Sequence, residues 1–182
     1  MKTYPIFSKK DQEKFELYFK TTNTRDYVLF ITGTNTGFRI GDLLRLRKED
    51  VKGNFIELVE QKTGKKRTIK INKKLKSVLK DYLKTIRNGG YLFPSRICGG
   101  NKAISVRRAQ QIIKAAAEKL GSCDNINTHS LRKTFAYRIY EVTGSLSLVQ
   151  EILNHSKETI TLRYLCLSHL LLNNATEAIA DL

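Results

Sequence analysis

Residues 127–164 read NTHSLRKTFAYRIYEVTGSLSLVQEILNHSKETITLRY, and this stretch decides how the rest of the chain is interpreted. His129 and Arg132 lie three residues apart, which places both side chains on one face of a helix. A second histidine, His155, precedes Tyr164 by nine residues, with a short helical segment before the tyrosine. Cationic hydrogen-bond donors, imidazoles and a phenol together suit chemistry on a phosphodiester.

The charge of the chain is strongly unbalanced. It contains 33 Lys and Arg residues against 17 Asp and Glu residues, which gives a formal net charge of +16. A surplus of this size predicts strong attraction to a polyanion. Nucleic acid is the expected partner, with an anionic membrane as the alternative. The membrane is disfavoured because the chain has no long basic amphipathic helix with exposed aromatic residues.

The length and composition predict one folded domain over residues 1–182, large enough to bury a core. Cys98, Cys123 and Cys166 are an odd number without CxxC spacing, so neither disulfides nor a zinc site are expected. The start, MKTYPIFSKKDQEKF, lacks the apolar segment of a signal peptide, and no apolar run is long enough to span a membrane. We therefore predict a cytoplasmic protein without a metal cofactor.

Three helices are predicted in the first quarter of the chain. Ser8 is placed to begin the first, and Thr24 to cap the second. The Gly/Thr/Asn cluster TGTNTG at residues 32–37 is expected to break that second helix. Apolar residues then recur at helical spacing over residues 40–46.

The period changes over the next stretch, which predicts a β-hairpin. Residues 55–59 and 67–71 have the character of strands, and a glycine-containing connection at residues 61–66 joins them. This is also the most basic region of the chain. Its predicted DNA contacts are Lys65, Lys66, Arg67, Lys73 and Lys74.

The remainder is predicted to be helical. Helices are expected over residues 73–87, from the cap Ser105 to residue 120, and over 147–153 and 159–165. A further helix carries His129 and Arg132, with Asn127 and Thr128 as candidate caps and Gly144 as its break. Residues 92–101 form a loop, the one place where a sub-boundary is expected. The tail, residues 168–182, is predicted to be helical in part. The fold class is therefore α+β, mostly helical with a small antiparallel sheet.

Five motifs in order resemble the catalytic domain of the tyrosine recombinase (phage integrase) family. They are TGFR (36–39) followed by DLLRL (42–46), Lys62 in the hairpin connection, HSLR (129–132) followed by Phe135-Ala136, LNHS (153–156) and TLRY (161–164). The resemblance covers residues 24–167. The chain departs from the family at Asn154, where the family usually has glycine, and we expect this change to alter the start of a helix without removing a reactive group.

The resemblance implies a catalytic set that consists of Arg39, Lys62, His129, Arg132, His155 and Tyr164. A phosphodiester attacked by a phenol gains negative charge on its non-bridging oxygens. Arg39 and Arg132 hold those oxygens bidentately and keep their charge at any working pH. Tyr164 is the nucleophile, and because its reference pKa is about 10 it must lose a proton as it attacks. His129 accepts or shuttles that proton.

Two further groups complete the implied chemistry. His155 donates a hydrogen bond to the phosphate, and Lys62 protonates the leaving 5′ oxygen as general acid. The implied product is a 3′-phosphotyrosyl link with a free 5′-hydroxyl, so rejoining requires neither ATP nor metal.

The resemblance also implies an assembly. Family members usually carry an upstream helical domain that completes a clamp around DNA, and this chain starts too close to the first motif to contain it. The chain is expected to be a fragment of a longer integrase or a short recombinase made of little more than the catalytic domain. The segment after Tyr164, residues 168–182, is expected to dock on a neighbouring protomer. Four protomers would act on two duplexes, with a monomer expected in isolation.

Several alternatives stay open at this point. A type IB topoisomerase-like enzyme would nick and reseal one duplex, and a non-catalytic DNA-binding regulator would keep the fold alone. The complete set of six groups disfavours the regulator, because binding alone needs no phenol. Tyr137 and Tyr140 compete with Tyr164 as nucleophile but have no motif of their own. Lys62 is alternatively a DNA phosphate contact, with Lys65 and Lys66 as near neighbours in the hairpin.

Overall fold

The computed structural model describes residues 3–97, 99–122 and 125–165. Helices make up most of these residues, and one two-stranded antiparallel sheet accompanies them, so the predicted fold class is confirmed. The chain divides into two compact units, with the boundary between Phe135 and Ala136. The three cysteines and the predicted docking tail, residues 168–182, lie outside the described residues. Over the residues described, no helix is both long and apolar enough to cross a bilayer.

The first unit begins with two helices whose N-caps are polar side chains. Helix α1 spans Lys9–Thr22, and the Ser8 hydroxyl accepts a hydrogen bond from the Asp11 N–H, as the sequence predicts. Helix α2 spans Thr24–Thr36, and its cap is Asn23, one residue before the predicted Thr24. An asparagine oxygen caps a helix as well as a hydroxyl does, so either residue satisfied the sequence pattern.

The predicted break at residues 32–37 occurs only at the last residue of the cluster, because α2 continues through Thr36. The hydroxyls of Thr32, Thr34 and Thr36 donate to carbonyls four residues earlier, at 2.7–2.9 Å, and so do not compete with the helix. A Cβ on Gly33 would lie 2.7 Å from Leu131 Cδ1, so this glycine allows a close approach rather than a break. The helix ends only at Gly37, which has a left-handed backbone with φ 60°.

A short helix and the hairpin follow α2. Helix α3 spans Ile40–Arg45 and a 3₁₀ turn covers Glu49–Val51. Strands β1 (Phe55–Val59) and β2 (Lys66–Lys70) pair antiparallel, with Ile56 opposite Ile69. The predicted hairpin is confirmed, with β2 shifted by one residue from its predicted start.

Two longer helices complete the first unit. Helix α4 spans Lys73–Tyr82 and continues as a 3₁₀ turn over Leu83–Thr85, so it ends earlier than predicted. Helix α5 spans Val106–Lys119 with Ser105 as its cap, as predicted. The core between the helices contains the stacked rings of Phe15 and Phe30, whose centroids are 5.7 Å apart.

The loop at residues 92–101 does not mark a boundary. Leu92 and Phe93 are fully buried in the core of the first unit. Backbone bridges join Arg47 to Tyr91 and Pro94 to Ala103, so hydrogen bonds hold the chain on both sides of this loop. The loop therefore belongs to the first unit, and the sub-boundary predicted there falls at residue 135 instead.

Three helices supply the rest of the described chain. Helix α6 spans Thr128–Thr143 and runs across the boundary at residue 135. Helices α7 (Leu146–Leu153) and α8 (Glu158–Leu165) belong to the second unit. The small core of this unit consists of the buried side chains of Ala136, Val149, Leu153 and Leu165.

Asn154 ends helix α7 in a left-handed conformation, with φ 56° and ψ 40°. Among the residues that the structure describes, it is the one non-glycine residue with a positive φ. Glycine is the usual residue in this conformation and asparagine is the commonest substitute. The departure from the family pattern at this position is therefore conservative, and it lies at the end of a helix rather than at the start that the sequence suggested.

We expect Asn154→Gly to change the free energy of unfolding by only a few tenths of a kcal/mol, whereas Asn154→Val lowers it by about 1–2 kcal/mol. A β-branched residue strains the left-handed backbone, and glycine does not. Urea denaturation measures both values. Equal stability of the two variants would contradict the strain argument.

Candidate active site

Arg39 is positioned by a tight turn between α2 and α3. Gly37 has a positive φ, and a Cβ there would also overlap the ring of Phe135, so the turn requires glycine on both counts. Phe38 is buried, so the chain leaves the turn with Arg39 at the N-cap of α3. The Arg39 side chain is partly accessible to solvent and its Nη1 donates to Glu60 Oε2 at 2.5 Å.

Arg132 reaches the same turn from helix α6. It is almost fully buried, and its Nη1 donates to the Gly37 carbonyl at 2.7 Å. The same nitrogen lies 3.4 Å from Glu60 Oε1. The two predicted phosphate-binding arginines thus converge on a single carboxylate, which is the geometry that a shared anion site requires.

Glu60 is the common partner and was missed by the sequence analysis. Glu60 follows directly after β1 in the chain, and its side chain has no exposed surface. Burial alone would raise the pKa of this carboxyl, but hydrogen bonds from Arg39 and Thr63 and the charges of Arg39 and Arg132 outweigh burial and lower the pKa. The carboxylate is therefore ionised at neutral pH. The only sequence signal for it is one acidic residue beside a strongly basic segment.

Arg67 is the third arginine of this cluster, and its burial argues against the predicted DNA contact. The residue is only 6% exposed, and its Nη1 and Nη2 donate to the carbonyls of Gly37 and Thr36 at 3.0 and 2.8 Å. Its guanidinium also lies over the ring of Phe38 and 3.6 Å from Glu60 Oε1. Burial, together with the charge of Arg132, lowers the pKa of Arg67 to about 10. A side chain held inward in this way supports the site rather than the DNA surface.

Lys62 lies in the exposed connection between the two strands. The backbone next to it is fixed, because the Gln61 N–H donates to Asp42 Oδ1 at 2.9 Å. Asp42 is itself buried on α3, three residues after Arg39. The contact therefore ties the hairpin end that carries Lys62 to the helix that begins at Arg39.

His129 lies in the first turn of α6 and is exposed to solvent. Partial desolvation and then the positive charges of Lys133, Arg132, Arg39 and Lys62 lower its pKa below the usual 6.5. The imidazole is therefore neutral at pH 7 and is available as a proton acceptor. The effect of Lys62 on this ring shows that the hairpin lysine belongs to the same electrostatic neighbourhood as the two arginines.

His155 and Tyr164 are neighbours within the second unit. Their rings meet edge to face, with centroids 5.1 Å apart and an interplanar angle of 76°. The His155 Nδ1 is 3.0 Å from the Thr161 hydroxyl, which fixes the ring orientation. Tyr137 and Tyr140, the competing tyrosines, are half-buried and pack against the small core of this unit. The six predicted catalytic residues thus form two groups, four in the first unit and two in the second.

The remaining predicted DNA contacts lie on the surface of the first unit. Lys65 and Lys73 are exposed. Lys66 forms an ion pair with Glu57 at 2.6 Å, and Lys74 forms one with Glu16 at the same distance. Exposed ion pairs are weak, so these two lysines stay available to a polyanion.

A sequence profile of the phage integrase family matches residues 8–169. The chain belongs to the phage integrase family. The probable integrase/recombinase YoeC of Bacillus subtilis (strain 168) is 40% identical to it over 162 residues, which cover 88% of each chain. The tyrosine recombinase XerA of Pyrococcus horikoshii is 30% identical over 145 residues, 78% of this chain and 50% of that protein. The predicted identity as a tyrosine recombinase is confirmed.

Solved structures confirm the predicted catalytic-domain fold of this phage integrase family member. A crystal structure of XerA recombinase matches 98% of this chain and 66% of its own, with a TM-score of 0.76 and 24% identity. XerH recombinase, in a post-cleavage complex with the palindromic difH substrate, matches with a TM-score of 0.75 and 21% identity. That match covers 96% of this chain and 53% of XerH. The chain therefore spans most of YoeC but only about half to two thirds of these recombinases.

The pKa of His129 tests whether Lys62 faces the site. We expect His129 to titrate below pH 6.5, and Lys62→Met to move its pKa back toward 6.5, because one nearby positive charge is removed. The matched control is Lys65→Met on the same hairpin connection, which should leave the titration unchanged. NMR pH titration of the ring protons measures the pKa of His129 in all three proteins. A larger pKa shift with Lys65→Met than with Lys62→Met would contradict the assignment of Lys62 as the lysine that faces the site.

Proposed function

We propose that this recombinase cleaves and rejoins DNA through a covalent bond between the Tyr164 phenol oxygen and a DNA phosphate. The observation that supports it best is the convergence of Arg39 and Arg132 on one carboxylate, at 2.5 and 3.4 Å. A carboxylate and a phosphate share the planar O–X–O edge that a guanidinium recognises. We infer that the exposed side of this arginine pair binds the scissile phosphate.

The arginines stabilise charge that develops during the attack. The five-coordinate transition state carries more negative charge on its non-bridging oxygens than the diester does. Fixed guanidinium groups stabilise that charge without reorganising at the moment of reaction. One such donor contributes roughly 10²–10³ in rate.

Proton transfer is assigned to His129 and Lys62. Tyr164 must lose its proton as its oxygen bonds to phosphorus, and the neutral imidazole of His129 accepts that proton. The bond from phosphorus to the 5′ oxygen breaks at the same time, and Lys62 donates a proton to this leaving oxygen. His155, oriented by Thr161, donates a hydrogen bond to a non-bridging oxygen.

The product of this step keeps the bond energy of the diester. A 3′-phosphotyrosyl ester and a free 5′-hydroxyl are formed, so the number of phosphoester bonds is unchanged. The reverse reaction with a 5′-hydroxyl from a second duplex releases Tyr164 and completes the exchange. We therefore propose that the cycle needs no external energy source.

Duplex DNA is the proposed substrate, and the surface lysines Lys65, Lys66, Lys73 and Lys74 are its proposed phosphate contacts. Each phosphate neutralised lowers log K by about 0.9 for a tenfold rise in salt. Such contacts provide affinity but little sequence selection. We further propose that four protomers assemble on two duplexes and that residues 168–182 dock between them. We also propose a cytoplasmic location, where this substrate is found.

Trapping of a covalent complex tests the nucleophile. The probe is a library of nicked duplexes with randomised sequence, in which the nick releases the 5′-hydroxyl fragment and prevents religation. We expect a protein–DNA adduct with wild type in EDTA and none with Tyr164→Phe, because phenylalanine has no oxygen. Tyr137→Phe and Tyr140→Phe are the matched controls and should still form the adduct.

Other outcomes of the trapping experiment separate the alternatives. An adduct with Tyr164→Phe would move the nucleophile to another tyrosine. If wild type forms the adduct but, on intact duplexes of the same sequence, reseals only the strand that it cut and never joins two duplexes, the result would indicate nicking and resealing. The absence of any adduct with wild type would support a binding protein.

Replacement of Arg39 tests the phosphate clamp. We expect Arg39→Lys to lower the single-turnover cleavage rate about 100-fold, because lysine lacks the fork that holds two oxygens, while the Kd for DNA changes less than about threefold. Arg45→Lys, on the exposed end of α3, is the matched control and should affect neither. Equal losses of cleavage and binding in Arg39→Lys would remove Arg39 from the catalytic set.

A further inference from the structure

We propose that Glu60 is a positioning residue, a buried anion that orients Arg39 and Arg132 toward the scissile phosphate. The inference rests on the proposed function of the arginine pair and assigns the element that holds it in place. Glu60 itself does not touch DNA, because its side chain has no exposed surface. It acts through the guanidinium groups that cover it.

The carboxylate of Glu60 is held on both sides. Its Oε2 accepts hydrogen bonds from Arg39 and from the Thr63 hydroxyl, at 2.5 and 2.9 Å. Its Oε1 lies 3.4 Å from Arg132 Nη1 and 3.6 Å from Arg67 Nη1. Each oxygen thus faces a different catalytic arginine, so the orientation of the carboxylate determines the spacing of the pair.

The backbone of Glu60 is equally constrained. Its N–H donates to the Lys65 carbonyl at 3.0 Å, and its own carbonyl accepts from the Gly64 N–H at 2.8 Å. These bonds close the hairpin end. Because the backbone of Glu60 is fixed in this turn, its carboxylate has limited freedom to move. We infer that the arginine side chains take their orientation from the carboxylate.

Arg39 depends on this contact more than Arg132 does. Arg132 also bonds to the Gly37 carbonyl and is packed in the interior. Within the described part of the chain, Glu60 is the one hydrogen-bond partner of the Arg39 guanidinium. One terminal nitrogen is directed inward by that bond, and the outer edge of the guanidinium remains for a phosphate. Without Glu60 the long side chain regains its rotamer freedom.

The charge balance leads to the same conclusion. Arg39, Arg67 and Arg132 bring three positive charges to one buried carboxylate, which leaves a local charge of +2 for a phosphate to meet. Removal of the carboxylate leaves three mutually repelling cations. A neutral side chain at position 60 therefore makes the site more positive and less ordered at once. DNA binding and cleavage should respond in opposite directions.

Glu60→Gln separates these two effects. The protein is tested on the nicked duplex recovered from the randomised library, with single-turnover cleavage and DNA affinity measured side by side. We expect cleavage to fall about 30- to 100-fold, while the Kd stays equal to wild type or becomes smaller. Glu60→Asp keeps the charge but shortens its reach, and should recover part of the lost rate.

Glu57→Gln is the matched control. It lies on β1 three residues earlier, makes the same change in net charge, and removes exposed contacts with Lys66 and Thr68. It should leave the cleavage rate unchanged. The proposal is overturned if Glu60→Gln cleaves as fast as Glu57→Gln, or if its cleavage and affinity fall by the same factor.

A milder variant covers the case in which Glu60→Gln does not fold. Thr63→Val removes the hydrogen bond to Oε2 and a longer one, 3.4 Å, from the Lys65 N–H, and it leaves every charge in place. We expect a several-fold loss of cleavage in a protein that is still folded but has a lower Tm, and no loss with Thr63→Ser, which keeps the hydroxyl. If Thr63→Val cleaves DNA at the wild-type rate, the orientation of the Glu60 carboxylate does not determine the rate, and this result would count against the proposal.

The NMR signal of the Arg39 side chain gives a readout that needs no DNA. In wild type the guanidinium NH groups should exchange slowly with water, and in Thr63→Val or Glu60→Asp they should exchange faster. If wild type forms no DNA adduct but this difference is seen, the proposed function fails while the positioning contact stands. If the exchange rates are equal in all three proteins, the positioning contact fails regardless of activity.

Discussion

A single buried carboxylate surrounded by three arginines is the constraint on which the rest of this structure depends. Moving such charges out of water costs on the order of several kcal/mol per ion, and mutual attraction recovers this only when the hydrogen bonds are nearly complete. Glu60 meets that condition with Arg39 and Thr63 on one oxygen and with Arg67 and Arg132 close to the other. Replacing a buried ion cluster by a well-packed apolar interior is often neutral or stabilising. We therefore explain this cluster by the chemistry that we propose for it.

The backbone around this cluster is arranged to receive cations. The left-handed turn at Gly37 ends α2 and exposes the carbonyls of Thr36 and Gly37, which would otherwise lack partners at a helix C-terminus. Arg67 and Arg132 donate to these carbonyls from a strand and from a distant helix. One turn thus joins α2, β2 and α6 and fixes the direction in which Arg39 leaves it. Fold and site share the same hydrogen bonds.

The sequence predicted what local chemistry determines. The caps Ser8 and Ser105 and the hairpin follow from residue types at short spacing, whereas the motifs of the proposed catalytic set were identified by their resemblance to the family. The cluster around Glu60 could not be predicted in this way, because Glu60 and Arg67 acquire their roles from partners 21 to 72 residues away. Arg67 in a basic segment resembles a DNA contact until its burial is known. The Gly/Thr cluster in α2 was predicted to break the helix for a related reason: the sequence does not show that Gly33 allows a close approach of Leu131.

The central claim is that Arg39 and Arg132 bind one phosphate while Tyr164 attacks it. The most direct measurement is a crystal structure of the protein with a duplex DNA cleaved at the recombination site and orthovanadate in place of the scissile phosphate. The account predicts equatorial vanadate oxygens within about 2.8 Å of both guanidinium groups and the Tyr164 oxygen at an apical position. Vanadate bound away from either arginine, or with a different residue at the apex, would contradict it.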